Sequence, residues 1–179
     1  DGIPLLDLKG ILAEDRIQKL IDIIVSRGGY VKDLHGQKNI YYQVNATYFS
    51  ALGEDERKML LARALQIFMP GKPQIWYLDL FAGKNDHEAV QRAGESGHKE
   101  INRTNLSTDQ ITEGLKKDVV QKQLALIRMR NTHKAFSEGA EVAISGEESS
   151  LEIRWEYNSA FATLYVNFES GTYTIVESR

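Results

Sequence analysis

Apolar side chains recur at helical spacing in three parts of the chain. In residues 15–27 they fall at positions i, i+3, i+4, i+7 and i+8, and a glycine pair follows. Residues 54–69 open with three acidic residues, which favour a helix N-terminus, and carry an apolar face wide enough for burial against a sheet. Residues 118–132 form a third such run. The pattern predicts a helix over each range.

Beyond Ala135 the apolar period changes from that of a helix to that of a strand. Apolar and polar residues alternate in short segments, and Ser-Gly, Asn-Ser and Ser-Gly turns separate them. The predicted strands are residues 140–144, 151–155, 162–166 and 173–176. They predict a small antiparallel sheet at the end of the chain.

Residues 70–73, Pro-Gly-Lys-Pro, separate the helix at 54–69 from an apolar, aromatic run at 74–80. A helix, a tight turn and a nearly apolar strand are typical of the junction between two units of a (β/α)₈ barrel. We therefore predict a buried parallel strand at 74–80. Because barrel active sites lie beyond the C-terminal ends of the strands, the polar residues 81–107 are the predicted active-site loop.

Composition narrows the function classes. The 179 residues are 42% hydrophobic and 26% charged, which is ordinary for a globular protein. A net charge of −3 argues against nucleic acid, and no apolar run approaches the roughly 18 residues of a membrane span. The chain has no cysteine, which suits the cytoplasm and excludes disulfides and a thiol nucleophile. Histidines and aspartates are not clustered at metal spacing, so we expect no metal and no cofactor.

Several separated motifs, in order, carry a family resemblance. They are residues 1–3 (Asp-Gly-Ile), 42–48 (Tyr-Gln-Val-Asn-Ala-Thr-Tyr), 64–77, 80–86, 100–103 and 124–136. Together they resemble the C-terminal part of a sucrose phosphorylase, in the α-amylase superfamily of (β/α)₈ barrels. The resemblance implies an α/β fold in which residues 1–135 end the catalytic barrel and residues 136–179 form a C-terminal antiparallel β-domain. The start at Asp1, without an initiator methionine, suggests a piece of a larger protein.

The resemblance implies phosphorolysis of sucrose, or of a related α-glucoside, with inorganic phosphate to give α-glucose 1-phosphate. Retaining transfer by double displacement needs two carboxyl groups about 5–5.5 Å apart, a nucleophile and an acid/base. In this superfamily they come from the fourth and fifth barrel strands, upstream of the present residues. We therefore expect the isolated chain to be inactive and to need the remainder of the barrel as its partner. A homodimer is left open.

The resemblance also implies roles for single residues. Asp1 corresponds to the third carboxylate, which supports the oxocarbenium-like transition state. Arg103 resembles the arginine that binds the glucosyl unit in the donor subsite. Tyr42 and Gln43 lie on the acceptor-site loop, where a tyrosine can pack on a sugar face and a glutamine can donate and accept hydrogen bonds.

Further candidates follow the predicted eighth strand. Asn85 and Asp86 could line the pocket as substrate-binding residues, whereas His87 and His98 are more simply interpreted as surface or packing residues. His133, late on a helix, is interpreted as structural.

The acceptor loop departs from the family pattern. Sucrose phosphorylases usually carry an acidic residue in Asp-Leu-Tyr-Gln, and this chain has Ile-Tyr-Tyr-Gln at residues 40–43. His35 and Lys38 add basic side chains to the same segment, although a basic loop in solvent explains them equally well. Loss of an acid and gain of bases suits a phosphorylated substrate such as sucrose 6-phosphate.

Three functions therefore stay open. The first is a sucrose phosphorylase. The second is a relative that uses sucrose 6-phosphate, glucosyl-glycerate or glucosyl-glycerol. The third, of a different class, is a non-catalytic carbohydrate-binding or structural module made of the β-domain and its helix.

Overall fold

The computed structural model describes residues 2–33 and 41–178, and they form two compact units. The first unit combines Asp1–Asp55 with Trp76–Glu113, and the second combines Glu56–Ile75 with Gly114–Arg179. Each unit is thus assembled from two separate stretches of sequence. The functional division at residues 135 and 136 stays a prediction.

The regular elements are numbered in chain order. The α-helices are α1 (Glu14–Ser26), α2 (Tyr48–Ala51), α3 (Glu56–Phe68), α4 (Tyr77–Leu80), α5 (His87–Ala93), α6 (Thr108–Gly114) and α7 (Asp118–Thr132). The strands are β1 (Ile3–Pro4), β2 (Tyr30–Asp33), β3 (Tyr41–Asn45), β4 (Glu141–Glu147), β5 (Ser150–Tyr157), β6 (Ala160–Asn167) and β7 (Thr172–Glu177). Short 3₁₀ helices cover Leu6–Leu8, Gly94–Asn102 and Lys134–Phe136. The predicted helices at 15–27, 54–69 and 118–132 are confirmed as α1, α3 and α7.

The first unit is built on a three-stranded sheet in the order β1-β3-β2, with both pairs antiparallel. Helix α1 buries Ile17, Ile21 and Ile24 in a cluster that also contains Val44 of β3. These apolar residues recur at i, i+4 and i+7, so one stripe of the helix faces the core. The central strand of this sheet is β3, which carries Gln43.

The predicted strand at residues 74–80 is wrong. The backbone at Trp76 is extended, but Tyr77–Leu80 turn into α4, with the amides of Leu80 and Phe81 donating to the carbonyls of Trp76 and Tyr77. A parallel strand is held by hydrogen bonds to neighbouring strands. No strand among the described residues pairs with this run, so its apolar composition alone does not make it a strand.

The predicted loop at residues 81–107 is also more ordered than expected. It contains α5 and the 3₁₀ helix Gly94–Asn102. The start of α5 follows from Asp86, whose side chain accepts a hydrogen bond from the amide of Ala89 in the first turn. The polar composition of the segment concealed this helix.

The second unit packs α3 and α7 near an antiparallel sheet in the order β4-β5-β6-β7, which confirms the four predicted strands. Alternate residues of the central strands, such as Ile153 and Leu164, are fully buried. Together with Phe68 of α3 they belong to one hydrophobic cluster. The period-two pattern beyond Ala135 thus has its usual cause, a sheet with one face on a core.

Candidate functional site

The candidate site is centred on β3, because Tyr42 and Gln43, which were predicted on an acceptor-site loop, lie on this strand instead. Strand β1 places Pro4 opposite Gln43, and β2 places Lys32 opposite the same residue. The backbone of Gln43 is therefore held in a ladder on both sides. The side chain of Tyr42 lies outside the described set.

A side-chain pair occupies the face of β3 opposite to its buried valine. Side chains alternate along a strand, so Gln43 and Asn45 share one face while Val44 points into the core. Nε2 of Gln43 donates to Oδ1 of Asn45 over 2.7 Å. Gly2 adjoins the pair, since a Cβ atom there would lie 2.8 Å from Cδ of Gln43. The residue next to Asp1 thus contacts the acceptor-loop residues.

The chain just after β3 is fixed by three side chains from the segment around the predicted active-site loop. Oδ1 of Asn85 accepts from the amide of Thr47 over 2.8 Å. Oδ1 of Asp79 accepts from the amide of Tyr48 over 3.0 Å. Nδ2 of Asn102 donates to the carbonyl of Ala46 over 3.3 Å. The segment that follows residue 76 therefore serves as a scaffold for the end of β3.

Asn85 and Asp86, predicted as pocket residues, both have partners within the protein. The backbone amide of Asn85 also donates to Oγ of Ser50 over 3.0 Å. Oδ1 of Asp86 accepts from the amide of Ala89 over 2.8 Å, and Oδ2 accepts from the hydroxyl of Thr104 over 3.0 Å. The hydrogen bond from Ala89 is the main cause that lowers the pKa of Asp86. These contacts support the local structure, and substrate contact by either residue stays a prediction.

Replacing Asp86 with alanine is expected to destabilise the 179-residue chain by about 1 kcal/mol, because α5 loses its N-terminal cap. Asp86→Asn is the matched control, since an asparagine side-chain oxygen can still accept from Ala89. The lowered pKa makes the charged form of Asp86 stabilising above the unfolded-state pKa of about 3.9, and that contribution disappears as pH falls through the folded-state pKa. Urea denaturation at pH 7 and pH 3 should therefore show the difference between aspartate and asparagine shrinking in acid. A difference that grows in acid would contradict this.

Arg103, the predicted donor-subsite residue, directly follows the scaffold residue Asn102. Its Nη1 lies 3.9 Å from Oε1 of Glu100, and about a third of its side chain is exposed. Its amide donates to the carbonyl of Glu100 over 3.2 Å. An ion pair of this length and exposure is weak, and a planar guanidinium suits an oxygen-rich ligand.

The other predicted site residues differ in what the structure says of them. Asp1, His35 and Lys38 lie outside the described residues. His133 is structural as predicted, because its Nδ1 accepts from the amide of Ala135 and its Nε2 lies 2.9 Å from the carbonyl oxygen of Ser178. His87 lies beside the ring of Tyr30, with the ring centroids 5.9 Å apart.

Sequence reasoning missed Asn45 and Asn102, both of which are buried. A signal for Asn45 existed, because Gln43 and Asn45 alternate with the apolar Val44 and so predict one polar face of a strand. Asn102 lies in the motif at residues 100–103, but nothing in the sequence indicated its partner, which lies 56 positions away.

Metal ligation and membrane crossing find no support in the described part of the chain. In residues 2–33 and 41–178, no group of three histidine, aspartate or glutamate side chains could hold a metal ion. No helix there combines the length and hydropathy needed to cross a membrane.

Comparison with known proteins identifies the family. No family model matches the chain. It is 48% identical over 98% of its length to the sucrose 6(F)-phosphate phosphorylase of Ilumatobacter coccineus, and 35% identical over 99% to the sucrose phosphorylase of Agrobacterium vitis. The chain therefore belongs to the sucrose phosphorylase family of enzymes and matches the C-terminal part of its members.

A solved structure agrees with this assignment. The crystal structure of sucrose 6F-phosphate phosphorylase from Thermoanaerobacter thermosaccharolyticum matches all of this chain with a TM-score of 0.92 and 36% identity. The chain covers 37% of that structure and spans about a third of the length of the curated relatives it matches. The predicted fold class, α/β with the end of a barrel and an antiparallel sheet, is confirmed by this match.

Proposed function

We propose that the chain is the C-terminal part of a retaining phosphorylase that cleaves sucrose 6(F)-phosphate with inorganic phosphate. The observation that carries the proposal is the identity of 48% and 36% to two sucrose 6(F)-phosphate phosphorylases, against 35% and 32% for two sucrose phosphorylases. The acceptor segment supports the same choice, because it lacks the acid expected in residues 40–43 and carries His35 and Lys38. Both features favour a substrate with an added phosphate group.

The proposed reaction divides the work between this chain and the rest of the barrel. An upstream carboxylic acid protonates the glycosidic oxygen while an upstream carboxylate attacks the anomeric carbon, so fructose 6-phosphate leaves and a glucosyl-enzyme forms. A phosphate oxygen then attacks the anomeric carbon, gives its proton to the acid/base residue and displaces the carboxylate. The product is α-glucose 1-phosphate with retained configuration.

This chain would supply binding groups and one of the catalytic carboxylates. Asp1 would stabilise the positive charge that develops on the glucosyl ring, and Arg103 would hold glucosyl hydroxyls. Tyr42 and Gln43 would bind the fructosyl half, with His35 and Lys38 near its phosphate. The remainder of the barrel is the required partner. A cytoplasmic location and a homodimer both remain proposals.

A substrate panel tests the proposal on the full-length protein that carries these residues. Release of glucose 1-phosphate is measured with sucrose 6(F)-phosphate, sucrose, glucosylglycerol and glucosylglycerate. We expect the highest kcat/KM with sucrose 6(F)-phosphate and no release by the 179-residue chain alone. A higher kcat/KM with another donor would refute the substrate assignment, and no release with any donor would refute phosphorolysis altogether.

Replacing His35 and Lys38 together with alanine should raise the KM for sucrose 6(F)-phosphate by about 100-fold or more, because each charge-assisted hydrogen bond to the phosphate contributes about 1.5–3 kcal/mol. The KM for sucrose should stay within about twofold, since sucrose lacks that phosphate. Lys19→Ala, on the exposed side of α1, is the matched control for loss of a surface cation. Equal changes with both substrates would show that the two residues do not read the phosphate.

A further inference from the structure

The Gln43–Asn45 pair combines one half-buried and one fully buried amide. Asn45 is 0% exposed, and Gln43 is partly exposed on the same face of β3. Strands β1 and β2 flank β3 on both sides, so the backbone at both residues is fixed. The freedom left to Gln43 is that of its own side-chain torsions, and the 2.7 Å hydrogen bond to Asn45 restricts it.

Because of this hydrogen bond, the oxygen of the Gln43 side-chain amide is the atom available to a ligand. One of the two N–H groups of Nε2 donates to Oδ1 of Asn45, whereas Oε1 has no partner within residues 2–33 and 41–178. Gly2 leaves room for this pair, because a Cβ there would lie 2.9 Å from Oδ1 of Asn45 and 3.0 Å from Nε2 of Gln43. The oxygen Oε1 is therefore available as a hydrogen-bond acceptor, and an acceptor suits a hydroxyl donor rather than a phosphate oxyanion.

The burial of Asn45 also needs a reason beyond packing. Its Nδ2 is buried and has no hydrogen-bond partner in the part of the chain described. Such a group destabilises a fold by about 1–3 kcal/mol, so an apolar residue of similar size would serve the described core better. We therefore expect the polar side chain of Asn45 to have a function, and its hydrogen-bond partner Gln43 is the residue through which it can act.

We infer that Asn45 is a positioning residue, which pins Nε2 of Gln43 so that Oε1 accepts a hydrogen bond from a hydroxyl of the fructosyl group. This inference rests on the proposed function and assigns Gln43 to the sugar rather than to either phosphate. Asn45 itself touches no substrate in this arrangement. Replacing Asn45 should therefore raise the KM for the glucosyl donor only in a protein that still contains Gln43.

A double-mutant cycle in the full-length protein tests this. Gln43→Ala and Asn45→Ala should each raise the KM for the glucosyl donor about tenfold, the value of one neutral hydrogen bond, with the KM for phosphate within about twofold. The double variant should be no worse than Gln43→Ala, because residues that act as one unit are not additive. Losses that multiply in the double variant would overturn the inference.

Two further variants keep the test sharp. Asn102→Ala removes another buried asparagine of the same unit, and its effect should be the same with and without the Gln43→Ala change. Gln43→Met, at a partly exposed position, keeps the length of the side chain and removes its amide, so it should behave like Gln43→Ala. If Gln43→Met keeps the native KM, the amide of Gln43 does not bind the sugar and the inference fails, even if Asn45→Ala does not fold.

The experiments distinguish a failure of the proposed function from a failure of the role assigned to Asn45. An unmodified full-length protein that releases no glucose 1-phosphate overturns both the proposed function and the role of Asn45. Additive losses in an active enzyme overturn the role of Asn45 alone.

Discussion

Replacing Trp155 with alanine is expected to destabilise the chain by about 3–5 kcal/mol, the largest stability change that we predict. Trp155 of β5 is 7% exposed and belongs to the hydrophobic cluster of the second unit. Removing the indole leaves a cavity that its neighbours fill only in part. The midpoint of urea denaturation, followed by circular dichroism, measures the loss.

The polar contacts of Trp155 add to the effect of the cavity. Nε1 of the indole donates to the carbonyl of Phe68 over 2.6 Å, which ties β5 to the end of α3. The guanidinium of Arg130 lies 4.2 Å from the centroid of the Trp155 ring and 4.6 Å from that of Phe136. Burial lowers the pKa of Arg130, and the two aromatic faces and the carbonyl of Gly71, to which Nη2 donates over 2.9 Å, stabilise its charged form. Trp155→Ala would remove one of these faces.

Two variants separate these contributions. Trp155→Phe keeps an aromatic ring and loses the N–H donor, so it should destabilise the chain by about 1–3 kcal/mol, the usual effect of leaving a buried carbonyl unsatisfied. Tyr165→Ala, on the neighbouring strand but 45% exposed, should change stability by no more than about 0.5 kcal/mol. Equal losses for Trp155→Ala and Trp155→Phe would mean that the hydrogen bond, and not the buried ring, holds the unit together.

Replacing Asp1 with asparagine in the full-length protein should lower kcat/KM for phosphorolysis on the order of 10²–10³-fold. That is the usual effect of removing one preorganised group that stabilises transition-state charge. The reason is electrostatic, because a neutral amide cannot offset the positive charge on the glucosyl ring. Initial rates of glucose 1-phosphate formation measure the change.

A nearby aspartate provides the control for Asp1. Asp7 is exposed and lies in the same N-terminal stretch, so Asp7→Asn should leave kcat/KM within about twofold. Both variants should unfold at the same urea concentration as the unmodified protein. If the Asp1→Asn variant retains full activity, the transition-state role of Asp1 is refuted.

Local periodicity was sufficient for much of the fold. Helices α1, α3 and α7 and strands β4–β7 were predicted from apolar spacing, because all of them except the largely exposed β4 place an apolar face against a core. The ordered motifs likewise predicted the family. These features depend on residues close together in the sequence.

The run at residues 74–80 shows where local pattern fails. Its apolar residues suit a buried strand and a turn of buried helix equally well, and the choice depends on whether a neighbouring strand supplies hydrogen bonds. The described residues supply none, and α4 forms instead. The pairing of β2 with β3 was not predicted, because a short polar strand can be recognised only from the strand with which it pairs.

For the candidate site too, the sequence determined some features and the tertiary structure decided others. The sequence by itself determined which segments carry the candidates Gln43, Asn85, Asp86 and Arg103, because those segments keep the motifs of the family. The tertiary structure alone decided that the side chain of Asn45 holds that of Gln43, and that Asn102 reaches a carbonyl 56 positions away. Side-chain hydrogen bonds depend on distance and direction in space, and neither is encoded in the spacing of residues along the chain.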